Sequence, residues 1–404
     1  MRRHYQMVIV ACCFLLLFAN QGLPSTSFGV YQTYLVRLPG VGDLGASLVI
    51  TVRTLVSLLA IFFVTALYRR FSLRVGAFLM TLCTAGGFLI YGLAGSNLGL
   101  LCLGSCLTGV GYGMGGMVAS TTLIGNWFHG DVGTAAGVAG VGSGVAGMVI
   151  PVAAAAIVRH SALADAFFFE AALALAIGLT VLALVRSDPA ELGLKPFTVE
   201  KKPARGGTPA APATRRVPLT RRERVLMMVA VACLGALAVS ANYSFSVLLT
   251  SEGYAPMAAA ALTSVVGASL TAGKFLSGRA FDRLGSRRGS NLFFAALVVG
   301  TALCVTVGLG VVDAALAAVL FGAGCALSTT GLAVWALEFS SPEDELKNVR
   351  NFEIAYALGG FAFNPLPGVL KTLTGTYVTS FAVFAVCALV AALAVAWVYR
   401  ARAR

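Results

Sequence analysis

Charge is what this sequence has least of. Only 11% of its 404 residues are Asp, Glu, Lys or Arg, while 58% are hydrophobic and the mean hydropathy is +0.87. That balance excludes an ordinary soluble domain. Acids are the scarcer sign, 16 against 29 Lys and Arg, and the three His form no His/Cys/Asp cluster that reads as a metal site. The nine Cys all fall within apolar runs, at neither metal-ligand nor disulfide-framework spacing, and read as small packing residues. A phosphate loop is missing too: Gly109-x-Gly111-x-Gly113 lies inside an apolar run with no Lys-Ser/Thr behind it. The expectation is a protein that is not an enzyme and uses neither cofactor nor metal.

What the chain does have is long apolar runs. A spanning helix needs about 20 such residues, and twelve stretches qualify, near 7–35, 44–67, 73–95, 98–123, 132–158, 163–185, 225–250, 257–280, 289–310, 313–337, 349–371 and 376–399. The first follows Arg2 and Arg3 as a signal peptide would, but it lacks a small-residue cleavage site and reads as the first helix. Residues 187–223 break the pattern with six prolines among Ala, Thr, Arg and Lys, a basic linker. The fold expected is an all-α membrane protein of twelve transmembrane helices. It has a six-helix bundle over 1–186, the linker at 187–223, and a second six-helix bundle over 224–404. With the N-terminus inside, 24 of the 29 Lys and Arg fall on the cytoplasmic side and three (Arg37, Arg159, Lys371) outside, leaving Arg53 and Lys274 within spans. This asymmetry predicts both termini in the cytoplasm. It also accounts for the net charge of +13 without nucleic acid; the partner implied is the bilayer.

Two intramembrane cations stand out. A lysine within a span costs about 2.5 kcal/mol or more and marks a functional site by default. Lys274 shares a helical face with Thr263, Gly267 and Leu270. Just after it comes Gly278-x-x-x-Asp282-Arg283-x-Gly285-x-Arg287-Arg288, and a shift of 214 residues lays this stretch on Tyr68, Arg69, Phe71 and Arg74, a weaker copy that keeps the basic residues. The loop resembles the signature of the major facilitator superfamily. Trp127-Phe128, then Gly133, Ala135 and a ladder at Gly137, Gly140, Gly144 and Gly147, is similar to the oxalate:formate antiporter and monocarboxylate porter families. So is Asn351-Phe-Glu-Ile-Ala-Tyr356. The chain departs from those relatives at Asp131 and Val132, where they carry basic residues, and at Gly359, where oxalate exchangers carry a second cation.

The resemblance implies a secondary transporter of small organic anions, with Lys274 in the position of the carboxylate-binding arginine; its alternative is a lysine snorkelling to the inner interface, one turn above Gly278. One deep cation fits a monocarboxylate; Arg53 contacts substrate or joins an outer gate. Further lining candidates are Asn20, Tyr31, Tyr34, Asn242, Trp335, Tyr356 and Asn364; Asn20, and Asn242 with its neighbour Tyr243, read equally as hydrogen-bonding to another helix. Tyr31 and Tyr34 read equally as interface anchors. Glu353, on one face with Tyr356, Gly360 and Asn364, is the candidate for proton coupling; its alternative is a cap at the helix start. The gating set is Gly278, Asp282, Arg283, Gly285, Arg287 and Arg288, with Arg69, Arg74 and Glu338. Proton symport and anion exchange both remain open, the protein is expected to act as a monomer, and export of neutral or cationic amphiphiles is the competing class.

Overall fold

The computed structural model describes residues 5–26, 28–128, 132–194, 219–339 and 345–402, so most of the linker lies outside it. In hydrocarbon, backbone groups must be satisfied within their own segment, and these runs accordingly coil into helices. Among the described residues there is no strand element. Ten helical stretches are long and apolar enough to cross a bilayer. The helices in chain order are α1 (Tyr5–Leu17, a π-helical Phe18–Thr26, then Gly29–Leu35), α2 (Gly42–Ile61), α3 (Leu73–Ala94), α4 (Leu98–Gly115 and Met117–Trp127), α5 (Val132–His160) and α6 (Leu163–Leu184). They continue as α7 (Arg221–Gly235, a π-helical Ala236–Ala241, then Asn242–Ser251), α8 (Pro256–Leu284), α9 (Ser286–Leu303), α10 (Val311–Cys325 and Thr330–Glu338), α11 (Glu345–Phe363 and Leu366–Thr374) and α12 (Val378–Arg402). All twelve expected positions are helical.

Local chemistry sets the ends. Ser72 Oγ accepts from Val75 N–H at the start of α3, Asn97 Oδ1 from Leu100 N–H at the start of α4, and Thr220 and Glu223 form a reciprocal box at the start of α7. Gly285 turns the chain between α8 and α9 with φ +80°, a conformation that costs other residues their Cβ clearance. The two halves break their helices alike. Each opens with a helix interrupted by a π-segment, and α4 and α10 are both divided, at Gly116 and at Thr329.

Glycines set the close approaches. A side chain at Gly109 or Gly113 of α4 would strike the α2 backbone at Arg53 and Ser57, and one at Gly359 of α11 would strike Ala232 of α7. Gly359, compared above with the second cation of oxalate exchangers, is therefore closed by packing in this chain. One apolar core occupies the second half; the largest core of the first half also takes in Tyr243 and Ala260 from α7 and α8.

The chain ends lie at one side of the bundle, the terminal side. There Tyr5 bonds to the Leu184 carbonyl and Arg402 pairs with Glu223 at 3.1 Å. At the far side the halves are joined. Gly29 lies flat on the Asn242 and Tyr243 carbonyls, the Asn364 amide donates to Thr54 Oγ1 at 2.8 Å, and the Tyr377 hydroxyl donates to Asp43 at 2.5 Å.

Candidate functional site

The junction of the halves is organised by Arg53. It sits mid-way along α2, 4% exposed, and one guanidinium nitrogen donates to the Pro24 carbonyl while the other donates to the Tyr243 hydroxyl. The π-helical stretch around Pro24 offers the carbonyl, since a widened turn leaves backbone groups out of the regular ladder. The rings of Tyr243 and Tyr112 lie 4.7 and 5.3 Å from the guanidinium carbon. Tyr243 passes its own proton to Ser25 at 2.8 Å. Among the described residues Nε of Arg53 has no partner and the side chain forms no ion pair, so that within them the cation is held by dipoles and ring faces.

Lys274 occupies the point where the halves part. On α8, Gly267 rests on the α5 backbone at Gly147, and Thr271 fills the space over Gly144. One turn on, the same antiparallel register sets Lys274 opposite Gly140, but Gly140 and Gly137 face open space, as does Gly278. Lys274 is part-buried and makes no hydrogen bond or ion pair among the described residues. Beside it the Ser277 and Thr330 hydroxyls meet at 2.7 Å, where α10 is broken. A part-buried cation with no partner among the described residues is available to an incoming anion.

Of the other expected residues, the structure gathers some here and not others. Glu353 is exposed on α11, within electrostatic reach of Tyr112 and Tyr356. Asn364 is buried in the junction, accepting from Ser240 at 2.7 Å while donating to Thr54. Asn242 is part-buried beside Gly29, but it is its neighbour Tyr243 that reaches Arg53. Asn20 is spent inside the first half, on Thr81, Thr84 and the Gly115 carbonyl. Trp335 does not wall a cavity: it is 0% exposed, stacks on Phe294 at 5.8 Å and donates to Ser290 at 2.9 Å. Tyr31 is neither an interface anchor nor a lining residue; it is fully buried and donates to Glu170 at 2.5 Å. Tyr34 lines a separate far-side cavity of about 440 Å³ with Arg159 and Met257.

The gating set is dispersed. Arg69, Arg283, Arg287 and Arg288 are exposed. Arg74 ties α3 to the end of α6 through the Leu182 carbonyl at 2.5 Å. Glu338 accepts from Tyr399 at 2.8 Å, an interaction within the second half rather than with the arginine cluster. The side chain of Asp282, and the turn with Asp131, lie outside the described residues. The sequence offered Tyr243 as a residue that lines a cavity or bonds between helices, without naming Arg53 as its partner; Tyr112 was missed, and so was Glu170, although an acid in an apolar run satisfies the same rule that singled out Lys274.

Comparison with known proteins agrees with this architecture. Residues 10–349 match the Major Facilitator Superfamily. Among solved structures, the nucleoside transporter NupG superposes with TM-score 0.71 at 15% identity, covering 98% of this chain and 99% of that one. The D-xylose-proton symporter gives 0.72 at 14% identity, covering 97% of each. A bacterial homologue of the human lysosomal transporter Spinster, inward-facing and occupied, gives 0.69 at 14%, covering 98% and 97%. At these identities the likeness is one of fold. No curated protein matches the sequence.

Proposed function

Because this chain belongs to the Major Facilitator Superfamily, and is therefore a multi-pass transporter of the cell membrane rather than an enzyme, we propose that it carries small organic anions, monocarboxylates foremost. The observation that carries this reading is Lys274: a part-buried cation in a membrane span, with no acid paired to it among the described residues. Such a charge is costly unless a mobile counterion neutralises it. Arg53 supplies a second positive centre deeper in, walled by Tyr112 and Tyr243. Two intramembrane cations, one of them against aromatic rings, suit a carboxylate with an apolar body. Neutral and cationic amphiphiles are served less well, Glu353 being the acid within electrostatic reach of Tyr112.

Two bundles, 1–186 and 224–404, alternate about this site in the reading we favour. With both termini in the cytoplasm, the far side is extracellular, and the structure corresponds to an inward-open state. Arg53 then has two duties in sequence. It holds the outer side shut through Tyr243 and Pro24, and it meets the substrate carboxylate when those bonds part. Glu353, open to the cytoplasmic vestibule, is placed to exchange a proton in symport, whereas simple anion exchange would not require it.

The test is uptake of labelled acetate, lactate, pyruvate, formate, oxalate and an aromatic acid into proteoliposomes, with and without an inward proton gradient. Wild type should take up at least one monocarboxylate, and Lys274→Ala should take up none at equal reconstitution. Equal uptake by both proteins would remove the anion from Lys274.

A further inference from the structure

The far-side cavity of about 440 Å³ has no part in the site above. It lies where α1 ends at Leu35, α5 ends at His160 and α8 begins at Pro256. Three helix ends together mark the level of the lipid headgroups. Tyr34, Val158 and Arg159 line the cavity from the first half, Pro256 and Met257 from the second. Arg159 is exposed and Tyr34 part-buried.

Charge singles this cavity out. A basic residue on the far side works against the orientation that the other basic residues impose, and only Arg37, Arg159 and Lys371 are read there. Lys371 is spent locally: it donates to the Gly375 carbonyl at 2.5 Å and lies over the Tyr377 ring. The other two gather at the cavity. Arg159 lines it, and Arg37 follows Tyr34 on the same turn, its N–H on the Tyr34 carbonyl at 3.1 Å. Neither arginine side chain makes a hydrogen bond or ion pair among the described residues. The acids of the neighbouring far-side turns are engaged elsewhere. Asp165 accepts from Ser161 and from the Ala162 N–H, Asp43 accepts from Tyr377, and Glu252 approaches Gly308.

The walls say what kind of anion fits. Apart from Tyr34 and Arg159, every lining residue is apolar. The face of α5 that carries Arg159 continues through Val152 and Met148, 39% and 42% exposed. At this depth α5 and α8 are closed on each other through Gly147 and Gly267, so both side chains look outward to hydrocarbon. A ligand that matches the whole feature has an anionic head for the arginines and an apolar tail for the stripe below them.

We propose that the cavity binds an anionic phospholipid of the far-side leaflet, with its phosphate at Arg159 and Arg37 and an acyl chain along Val152 and Met148. Residues of both halves line the cavity, so the bound lipid bridges them. The site needs neither Lys274 nor a carboxylate substrate.

The test is photo-crosslinking of the full chain in phosphatidylcholine bilayers holding a trace of phosphatidylglycerol with a photoreactive acyl chain, the adducts being mapped by peptide mass spectrometry. Adducts should fall on the far-side parts of α5 and α8. A photoreactive phosphatidylcholine at the same mole fraction should label those positions about fivefold less, and Arg159→Gln should lower the phosphatidylglycerol adducts by a similar factor, the weight of one arginine beside a lipid headgroup. Met257→Trp, which fills the cavity, should lower them as well, whereas Lys371→Gln should leave them unchanged. Melting curves confirm that each variant is folded. Equal labelling by the two lipids, or undiminished labelling in Arg159→Gln and Met257→Trp, would reduce the feature to ordinary lipid contact and overturn the proposal. Displacement of the adducts by excess inorganic phosphate would overturn it in favour of a soluble anion.

Discussion

Trp335 and Lys274 show how differently two conspicuous side chains can be employed in one membrane bundle. The indole is enclosed completely, donates to Ser290 and stacks on Phe294. Truncating a buried aromatic of this kind costs about 3–5 kcal/mol. Trp335→Ala should therefore lower the melting temperature of the purified protein markedly while leaving the substrate KM of the surviving fraction unchanged; a changed KM at unchanged stability would return Trp335 to the cavity wall. Lys274 should behave the opposite way. It contributes nothing to packing that a neutral side chain could not replace, so Lys274→Met should match or exceed the wild-type melting temperature while uptake is lost. The two cations were legible in the sequence because a charge in an apolar run is visible without knowing its neighbours. Glu170 was legible by the same rule. The choice between cavity wall and interhelical contact was not legible for Tyr243, Asn20 and Trp335, and Tyr112 drew no notice, because whether a polar or aromatic side chain in a span faces a cavity depends on partners on other helices. Asn20 finds Thr81, Thr84 and the Gly115 carbonyl there, and no periodicity within α1 announces them.

At the level of elements, periodicity carries further. Twelve apolar runs become helices because lipid leaves the backbone no other way to satisfy itself, and the glycine ladder of α5 correctly marks a face of close approach. The ladder did not reveal that only half of it is occupied. Gly147 and Gly144 are packed against α8, whereas Gly140 and Gly137 are open, so the two helices are joined toward the far side and separate below Thr271. The register that pairs Gly147 with Gly267 and Gly144 with Thr271 continues on paper to Gly140 with Lys274 and Gly137 with Gly278. Closing the terminal side then means completing this seam. A bulky residue on the open stretch is harmless in the present state and obstructs the other. Gly140→Trp should fold with wild-type thermal stability, yet reduce turnover by about tenfold or more, the consequence of disfavouring one state of the cycle by roughly 1.4 kcal/mol or more. Uptake in proteoliposomes beside a melting curve checks both halves of the statement. Turnover at the wild-type rate would mean that α5 and α8 do not meet below Thr271.

For the molecule as a whole, the far-side junction is a short series of polar contacts laid over glycine-to-backbone packing, and under the alternation proposed above it must be stable enough to hold and weak enough to release. The Tyr377 hydroxyl on Asp43 is one contact that spans the halves near the surface, with Gly368 packed against the Asp43 carbonyl and Ser47 just inside. Arg53 with Tyr243, and Asn364 with Thr54, lie deeper. A hydrogen bond to a carboxylate contributes about 1.5–3 kcal/mol when buried, so its loss should move the balance between closed and open far sides by roughly tenfold or more without touching the substrate site. Ser47 is 1% exposed in the closed state, and its Oγ has no hydrogen-bond partner among the described residues, which makes Ser47→Cys a mild substitution and a reporter of opening. Tyr377→Phe in that background should be labelled by a membrane-impermeant thiol reagent about tenfold faster than the reporter alone. Excess substrate should change both rates in the same direction, because the ligand acts on the equilibrium between states and not on the latch. Equal labelling rates with and without the Tyr377 hydroxyl would mean that the closed far side is held by backbone packing at Gly29 and Gly368, with the polar contacts following the motion rather than governing it.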